Sequence, residues 1–315
     1  MLSIRSRAKA IAEGLLVAGG APSWGARRHR RGICILAYHN IVPDTLAGVG
    51  DVSLHLRASD FRQQLDQIGR RYDVVPLRQA MDETVPVGRP RVAITFDDAY
   101  LGAVTLGVDE LARRGFPATI FVPPGLLGRH AMWWDSFTPR AAVGRRGSVA
   151  DVRSQALTEC GGRDARVREL AARSQWGGRV LPDVALTASD EELADACRRH
   201  DGLSLGSHTW SHPNLTRSAP SELAEELRLP LEWLNRREER TIPWLAYPYG
   251  LANATVAQAA RAAGYAAAVL VSGGWAMPPI RDPFAVPRVN IPAGVSADGF
   301  ALRLAGVLSS SAARL

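Results

Sequence analysis

Two adjacent carboxylates, Asp97 and Asp98, follow directly on the apolar run RVAITF. Side chains alternate between faces along a strand, so neighbouring aspartates should point in opposite directions. Two like charges side by side also resist joint ionisation unless a cation or strong hydrogen-bond donors stabilise them. The pair therefore indicates either an aspartate-rich turn or a site that holds a cation.

The stretch GSHTWSHPN contains His208 and His212, four residues apart. On a helical turn or a turn-like loop, both imidazoles can reach one ion. The spacing alone is a weak signal, but the chain has only seven histidines, and Asp98 offers a carboxylate from another strand end. One carboxylate and two imidazoles suit a catalytic Zn²⁺ with positions left for water and substrate, and other divalent transition metals can take the same ligands. The alternative is a pair of histidines that caps a loop.

From residue 33 onward, short apolar runs alternate with helical segments. The predicted strands are ICILAYH, RVAITF, ATIFVP, LSLGSH, WLAYPYG, YAAAVLV and FAVPRVNI. Apolar strands without polar alternation predict parallel strands covered by helices, so the fold class is α/β. About seven such strands suit a distorted (β/α) barrel or a large doubly wound sheet. In barrels the chemistry lies at the carboxyl ends of the strands, where this sequence places His39, Asp97, Asp98, His208, Tyr247 and Tyr249.

One stretch breaks the even spacing of strands. Residues 136–201 are rich in arginine and alanine, and Ser189 and Glu192 form a capping box. The sequence therefore predicts a helical insertion that acts as a lid within a single catalytic domain, residues 33–308, rather than a second domain with its own sheet.

The charge distribution bears on possible partners. The chain has a net charge of +7, and residues 1–32 carry seven basic side chains against Glu13, so this segment holds +6 and the remainder about +1. No basic stripe interleaved with aromatic residues occurs, so nucleic acid is not an expected partner. The three cysteines, Cys34, Cys160 and Cys197, are too far apart to suggest a disulfide framework or a structural zinc site.

The segment 1–32 has a basic start and a short apolar patch that Glu13 interrupts. This pattern predicts a disordered extension rather than a cleaved signal peptide, and no run of 18 apolar residues predicts a transmembrane helix. We therefore expect a cytoplasmic protein. A basic tail can contact an anionic membrane surface, so peripheral membrane association through the N-terminus stays open.

The motifs TFDD, SHTWSH and YPYG, in this order, resemble those of the polysaccharide deacetylase family with the NodB homology domain, carbohydrate esterase family 4. The stretches AYHNI, FPATIFV, WWD and VPRVNI are similar to its bacterial branch associated with exopolysaccharide genes. The resemblance spans about residues 33–292. It implies a NodB-type barrel and a metal-dependent hydrolase that removes N-acetyl groups from amino sugars of a bacterial polysaccharide or its lipid-linked precursor. An O-acetyl carbohydrate deacetylase and a non-catalytic glycan-binding barrel are the alternatives.

The resemblance also implies roles for individual residues. Asp98, His208 and His212 would hold the metal, with Zn²⁺ favoured, and Asp97 would be the general base towards a metal-activated water. The backbone N–H of Tyr249 would stabilise the oxyanion that develops on the acetamide carbonyl.

Two departures from the family pattern concern proton transfer. Many members have an arginine before Pro-Tyr-Gly that orients the base, and here Ala246 occupies that position. Our hypothesis is that Arg288 in VPRVNI supplies the missing guanidinium to Asp97; a structural salt bridge is the alternative. The usual late histidine is also missing, because no histidine follows His212. The leaving amine would then take its proton from His39, from Asp97 acting a second time, or from water.

Three further residues are predicted to contact substrate: Trp134, Asp135 and Tyr247. Trp134 and its neighbour Trp133 are suited to stacking on sugar faces, although large aromatics also anchor inserted helices. Asp135 is suited to binding sugar hydroxyls or to capping a helix, and the Tyr247 ring to contacting substrate or packing. His39 has a structural alternative as well, as a hydrogen-bonded histidine at a strand end.

Overall fold

The computed structural model describes residues 4–46, 48–82, 88–138, 149–237 and 239–308. Its centre is a closed barrel of seven parallel strands. They are β1 (Ile33–Tyr38), β2 (Arg91–Phe96), β3 (Ala118–Val122), β4 (Leu203–Ser207), β5 (Thr241–Ala246), β6 (Ala267–Gly273) and β7 (Val286–Asn290). The order around the barrel is β1-β7-β6-β5-β4-β3-β2, and β2 pairs with β1 to close it. The prediction of an α/β barrel of about seven parallel strands is confirmed.

Alternate residues of β1 pack on opposite sides of the barrel wall. Ile33 and Ile35 join a cluster that contains Phe121, and Leu36 and Tyr38 join a second cluster that includes α3. Because α3 covers the outside of the barrel, the first cluster fills its interior. This arrangement explains why β1 and β2 are apolar and buried along their whole length.

Helices surround the barrel and include three within the predicted insertion. The described helices are α1 (Ile4–Ala18), α2 (Ala21–Arg28), α3 (Ala58–Arg71), α4 (Val108–Arg114), α5 (Trp133–Ser136), α6 (Val149–Glu159), α7 (Asp164–Arg173), α8 (Asp190–Arg199), α9 (Pro220–Asn235), α10 (Ala254–Ala263) and α11 (Ala297–Leu304). Short strands occur at Asn40–Val42, His55–Arg57, Asp73–Val74, Phe137–Thr138 and Gly177–Gly178. Within the part of the chain that is described, no helix combines the length and apolar character needed to cross a membrane.

The insertion has its own small apolar core. Trp133, Leu157, Val167 and Leu170 pack together there, and Phe137–Thr138 pairs with Gly177–Gly178 in an antiparallel ladder. α8 then returns to the barrel wall, and Ser189 caps it with the predicted capping box. The stretch 139–148 of the predicted insertion lies outside the described residues, and its action as a lid stays a prediction.

The N-terminal segment differs from the expected disordered extension, because α1 and α2 pack against the barrel domain. The carboxylate of Glu13 accepts a hydrogen bond from the hydroxyl of Ser296 at 2.6 Å. Gly25 lies so close to α11 that a Cβ would meet the carbonyl of Ala305 at 2.2 Å. The sequence pattern did not predict this packing, because Glu13 interrupts the apolar patch and yet is the residue that faces inward.

Candidate active site

The two adjacent aspartates lie at the end of β2, and the backbone explains how both reach one site. The N–H of Asp97 still donates to the carbonyl of Tyr38 at 3.0 Å, so Asp97 occupies the last position of the β-ladder. Asp98 has a φ of 70°, in the left-handed region that few residues other than glycine adopt. This reversal ends the strand alternation, and both residues line the same cavity.

Asp97 is paired with Arg288 of β7, 191 residues further along the chain. The Nη1 and Nη2 atoms donate to Oδ1 and Oδ2 at 2.8 and 2.7 Å. Nη1 also donates to the hydroxyl of Thr95, and Nε donates to the carbonyl of Leu270. Because Arg288 is fully buried, this bidentate geometry and the extra acceptors are what make the ion pair tolerable in the interior. The guanidinium that contacts Asp97 thus comes from β7. The arginine position of the family motif, held here by Ala246, lies on β5.

Both aspartates favour the ionised form. Burial opposes ionisation of Asp97, but the charge of Arg288 and its hydrogen bonds outweigh it and lower the pKa of Asp97 below its usual value. Burial also opposes ionisation of Asp98, yet the imidazoles of His208 and His212 hold the pKa of Asp98 well below its usual range. Each carboxylate is therefore stabilised by its own partner, which is how the fold accommodates two adjacent charges.

His208 and His212 lie on a turn-like loop after β4, not on a helix. Glu226 of α9 holds this loop, because its carboxylate accepts the N–H groups of Trp210 and Ser211 at 2.9 and 2.8 Å. His212 has a φ of 58°, another left-handed conformation. Such residues persist only where the surroundings fix them, and two of the three predicted metal ligands have this backbone.

The three predicted ligands converge on one point. The Nε2 atoms of His208 and His212 lie 3.1 Å apart, and 3.4 and 3.2 Å from Oδ1 of Asp98. Nδ1 of His208 donates to the carbonyl of Ala246 at 2.7 Å, which leaves the lone pair of its Nε2 facing the other ligands. Oδ1 of Asp98 is buried and has no hydrogen-bond partner of acceptable geometry among the described residues. The three donor atoms lie close enough together to hold one cation, and one oxygen with two imidazole nitrogens suits a divalent transition metal.

These side chains line a cavity of about 290 Å³ at the carboxyl ends of the strands. His39, Tyr247 and Tyr249 line the same cavity. Burial lowers the pKa of His39 even though both aspartates raise it, so the neutral imidazole is favoured at pH 7. The hydroxyl of Tyr247 donates to the carbonyl of Phe284 at 3.0 Å, which leaves mainly its ring for a ligand.

Aromatic rings form one wall of the cavity. The rings of Trp134 and Tyr249 pack against His212, with centroid distances of 4.9 and 4.6 Å. The indole N–H of Trp133 donates to the hydroxyl of Tyr249 at 3.1 Å, and Trp133 itself is buried in the core of the insertion. Trp133 thus anchors the insertion, whereas Trp134 borders the space where a ligand would lie.

Asp135 does not line the cavity, and its carboxylate is fully buried. Oδ1 accepts the N–H of Asp51 at 2.7 Å and lies 2.9 Å from Nε2 of His55, and Oδ2 accepts the hydroxyl of Tyr100 at 2.5 Å. The hydroxyl of Tyr100 in turn accepts the indole N–H of Trp134 at 2.8 Å. With both oxygens engaged, the geometry favours a positioning role for Asp135 over the predicted contact with substrate.

A family model described as polysaccharide deacetylase matches residues 84–268, more than half of the chain. The chain belongs to the polysaccharide deacetylase family. The resemblance predicted from the motifs is thus confirmed, and the matched residues include Asp97, Asp98, His208, His212 and Tyr249. β1 and Arg288 of this deacetylase-family chain lie outside the match. A search of curated proteins found no match.

Solved structures with similar folds carry related names. The Streptococcus pyogenes deacetylase PplD in complex with acetate has a TM-score of 0.59 at 19% identity, over 87% of this chain and 98% of that one. IcaB from Ammonifex degensii has a TM-score of 0.56 at 17% identity, over 88% and 97% of the two chains. The BpsB deacetylase domain from Bordetella bronchiseptica has a TM-score of 0.53 at 16% identity, over 83% and 96%. At these identities the likeness establishes that this family member shares their fold.

Sequence reasoning missed several residues of the deacetylase-family site. Asn290, the last residue of β7, lines the cavity, and the rule that strand ends carry chemistry would have found it. Arg153 of α6 also lines the cavity and lies 3.6 Å from the carboxylate of Asp51. Neither Arg153 nor Glu226 belongs to a motif, because each reaches the site from a helix whose local sequence looks like any other surface helix.

Proposed function

We propose that this protein removes N-acetyl groups from amino sugars of a bacterial polysaccharide or of its lipid-linked precursor. Membership of the deacetylase family supports hydrolysis of an acetylated polysaccharide. The observation that carries the finer proposal is the buried ion pair between Asp97 and Arg288, set in the same cavity as Asp98, His208 and His212. A carboxylate held in a fixed orientation beside a candidate metal site is suited to taking a proton from water.

Asp98, His208 and His212 would hold the ion, and Zn²⁺ is the ion we propose from the ligand set. A divalent cation there would supply Lewis acidity and lower the pKa of a water ligand towards neutrality. The hydrogen bond from His208 to the carbonyl of Ala246 fixes which ring nitrogen faces the ion. Glu226 fixes the loop that carries both histidines.

The protein's own side chains would carry out the proton transfers. Asp97 takes it from the attacking water while Arg288 keeps both carboxylate oxygens in place. The C–N bond breaks only when the leaving nitrogen receives a proton, so that water and amide become acetate and amine. His39 lines the cavity, is neither a ligand nor paired with Arg288, and is our candidate to pass that proton on. The backbone N–H of Tyr249 is the proposed donor to the developing oxyanion.

The cavity also bears on the substrate. A volume of about 290 Å³ is at the lower limit for small-molecule sites, and suits one sugar residue rather than a buried oligosaccharide. Trp134 offers an aromatic face at its wall, and Tyr247 offers a ring whose hydroxyl is already engaged. Aromatic faces of this kind stack on sugar rings, so a carbohydrate is the proposed partner.

The deciding experiment is acetate release by zinc-loaded protein from an N-acetylglucosamine oligomer and from an O-acetylated glycan. Wild type, Asp97→Asn and the exposed control Asp201→Asn are compared at equal zinc occupancy. We expect release from the amino sugar by wild type and the control, and loss in Asp97→Asn. Release from the ester alone would make the protein an O-deacetylase. Bound zinc without release from either substrate would favour a glycan-binding barrel.

A further inference from the structure

The surface formed by α1 and α2 exposes several large apolar side chains. Ile11, Leu15 and Leu16 of α1 are 65%, 69% and 43% exposed, and Trp24 of α2 is 60% exposed. Ile11 and Leu15 are four residues apart, so they lie one above the other on the same face of α1. A helix that only covered a soluble barrel would turn such residues inward and leave the polar ones outside.

The acidic residue of α1 is buried, whereas its aliphatic residues are exposed. Glu13 is 6% exposed, and its carboxylate accepts the hydroxyl of Ser296 at the start of α11. Glu13 is also the only acidic residue among residues 1–32. The fold therefore removes the single negative charge of this segment from its outer surface and leaves the apolar side chains outside.

Basic side chains are exposed on the same two helices and directly after them. Lys9 is exposed on α1, and Arg27 and Arg28 are exposed in the last turn of α2, followed by the exposed Arg30 and Arg31. The guanidinium of Arg28 lies over the ring of Trp24, 5.6 Å from its centroid. Exposed aliphatic residues, a tryptophan and exposed cations are the combination that places a helix in the interface of an anionic bilayer.

We propose that the α1–α2 surface binds the anionic face of a lipid membrane, with Ile11, Leu15 and Trp24 entering the headgroup region. A second copy of the chain fits less well, because two identical surfaces facing each other would bring +6 against +6. Nucleic acid fits less well too, because the middle of the surface is apolar and protein–DNA interfaces are polar. Phosphate-bearing lipids offer acyl chains to the exposed aliphatic residues and negative charge to the exposed basic residues.

The position of α2 is compatible with catalysis at a membrane. α2 ends at Arg28, a few residues before β1 begins at Ile33, so it lies near the amino ends of the barrel strands. The ligands Asp98 and His208 follow the carboxyl ends of β2 and β4, at the opposite end of the barrel. Binding through α2 therefore leaves the mouth of the cavity free.

The test is sedimentation of the full chain with vesicles, either phosphatidylcholine alone or phosphatidylcholine with phosphatidylglycerol. We expect binding only to the anionic vesicles, weakening as salt rises. Leu15→Glu should reduce the partition coefficient about tenfold or more, because it removes an exposed aliphatic side chain that would enter the headgroup region and adds a negative charge. Val180→Glu changes a fully exposed valine on the insertion and should bind as wild type does.

Two controls make the result decisive. Circular dichroism and acetate release must be unchanged in Leu15→Glu, since Leu15 lies outside the proposed site. The proposal is overturned if anionic vesicles bind no protein, if both vesicles bind equally, or if Leu15→Glu binds as well as Val180→Glu. Light scattering that shows a dimer which Leu15→Glu dissociates would also overturn it, and would assign the surface to a second copy.

Discussion

Arg288, in the middle of β7, and Asp97, directly after β2, form a bidentate ion pair inside the protein, although β7 and β2 are not neighbours in the barrel. Both carboxylate oxygens accept from the guanidinium, at 2.8 and 2.7 Å, and Arg288 is 0% exposed. Burying two charges is tolerable only while each partner stays in place. The pair is therefore sensitive to small changes in either residue.

Arg288→Lys should keep the positive charge but lose the fork that fixes both oxygens. We expect kcat for acetate release to fall about 100-fold through misplacement of Asp97, with KM and zinc content nearly unchanged. Arg288→Met should in addition lower the free energy of unfolding by about 3–5 kcal/mol, because it leaves Asp97 buried without a partner. A wild-type kcat in Arg288→Lys would reduce the ion pair to a purely structural role.

Zinc should stabilise the folded protein, because the ligand cluster forms only in the fold. At a zinc concentration of about 100 times Kd the free energy of unfolding should rise by about 2.7 kcal/mol, seen as a higher melting temperature that a chelator reverses. His208→Ala should abolish this shift. His130→Ala, which removes a partly exposed histidine outside the cluster, should keep it. An equal zinc shift in both variants would contradict the proposed ligand set.

Glu226 should act on the metal through the loop that it holds. Glu226→Ala removes the acceptor of the Ser211 N–H and leaves the N–H of Trp210 only the backbone carbonyl of residue 226, at 3.2 Å, so zinc affinity should fall about 10- to 100-fold. Glu226→Gln retains one accepting oxygen, so its zinc affinity should lie between those of Glu226→Ala and wild type. The neighbouring Glu225 is exposed, and Glu225→Ala should bind zinc normally. Competition with a zinc-sensitive dye measures all four proteins; indistinguishable affinities would rule out this anchoring role.

His39→Gln should test one of the three routes for the second proton. If His39 passes the proton to the leaving amine, the variant should lose about 10²- to 10⁴-fold in kcat while zinc content and melting temperature stay the same. The measurement is steady-state acetate release at fixed pH. An unchanged kcat would assign both proton transfers to Asp97 or the second to water.

The capping box of α8 should make stability depend on pH in the acid range. Hydrogen bonds from Arg129, opposed by burial and helped by the N–H of Ser189, lower the pKa of Glu192 from 4.5 to about 2. A lowered folded-state pKa means that the contribution is complete above pH 4.5 and is lost as the pH falls towards 2. The side chains of Arg129 and Glu192 are both partly exposed, so solvent screening limits this contribution to about 1 kcal/mol.

Glu192→Gln should therefore lower the free energy of unfolding by about 1 kcal/mol at pH 7, and its difference from wild type should shrink below pH 4.5. Urea denaturation at a series of pH values measures this. The exposed neighbour Glu191 serves as control, and Glu191→Gln should follow wild type throughout. A constant difference for Glu192→Gln across the acid range would contradict the pairing with Arg129.

Much of the site could be predicted from the sequence, for a physical reason. Parallel strands bring their carboxyl ends together, so polar residues that follow apolar runs must meet at one end of the barrel. This rule predicts that Asp97, Asp98, His208 and Tyr249 lie together, and in the structure all four line one cavity. Unalternating apolar strands separated by helices predicted parallel strands but left a barrel and a doubly wound sheet open, and the family resemblance favoured the barrel.

The sequence alone determined the family, the α/β barrel and the donor types available to an ion. Only the tertiary structure decided which distant residues complete the candidate site. The partner of Asp97 lies 191 residues away, the loop anchor Glu226 reaches the site from a surface-like helix, and Asp135 is engaged by three donors rather than open to a ligand. α1 buries Glu13 and exposes Leu15, which reverses what its pattern predicts. Local sequence carries the period of a strand or helix, but the direction in which a side chain points depends on what packs against it.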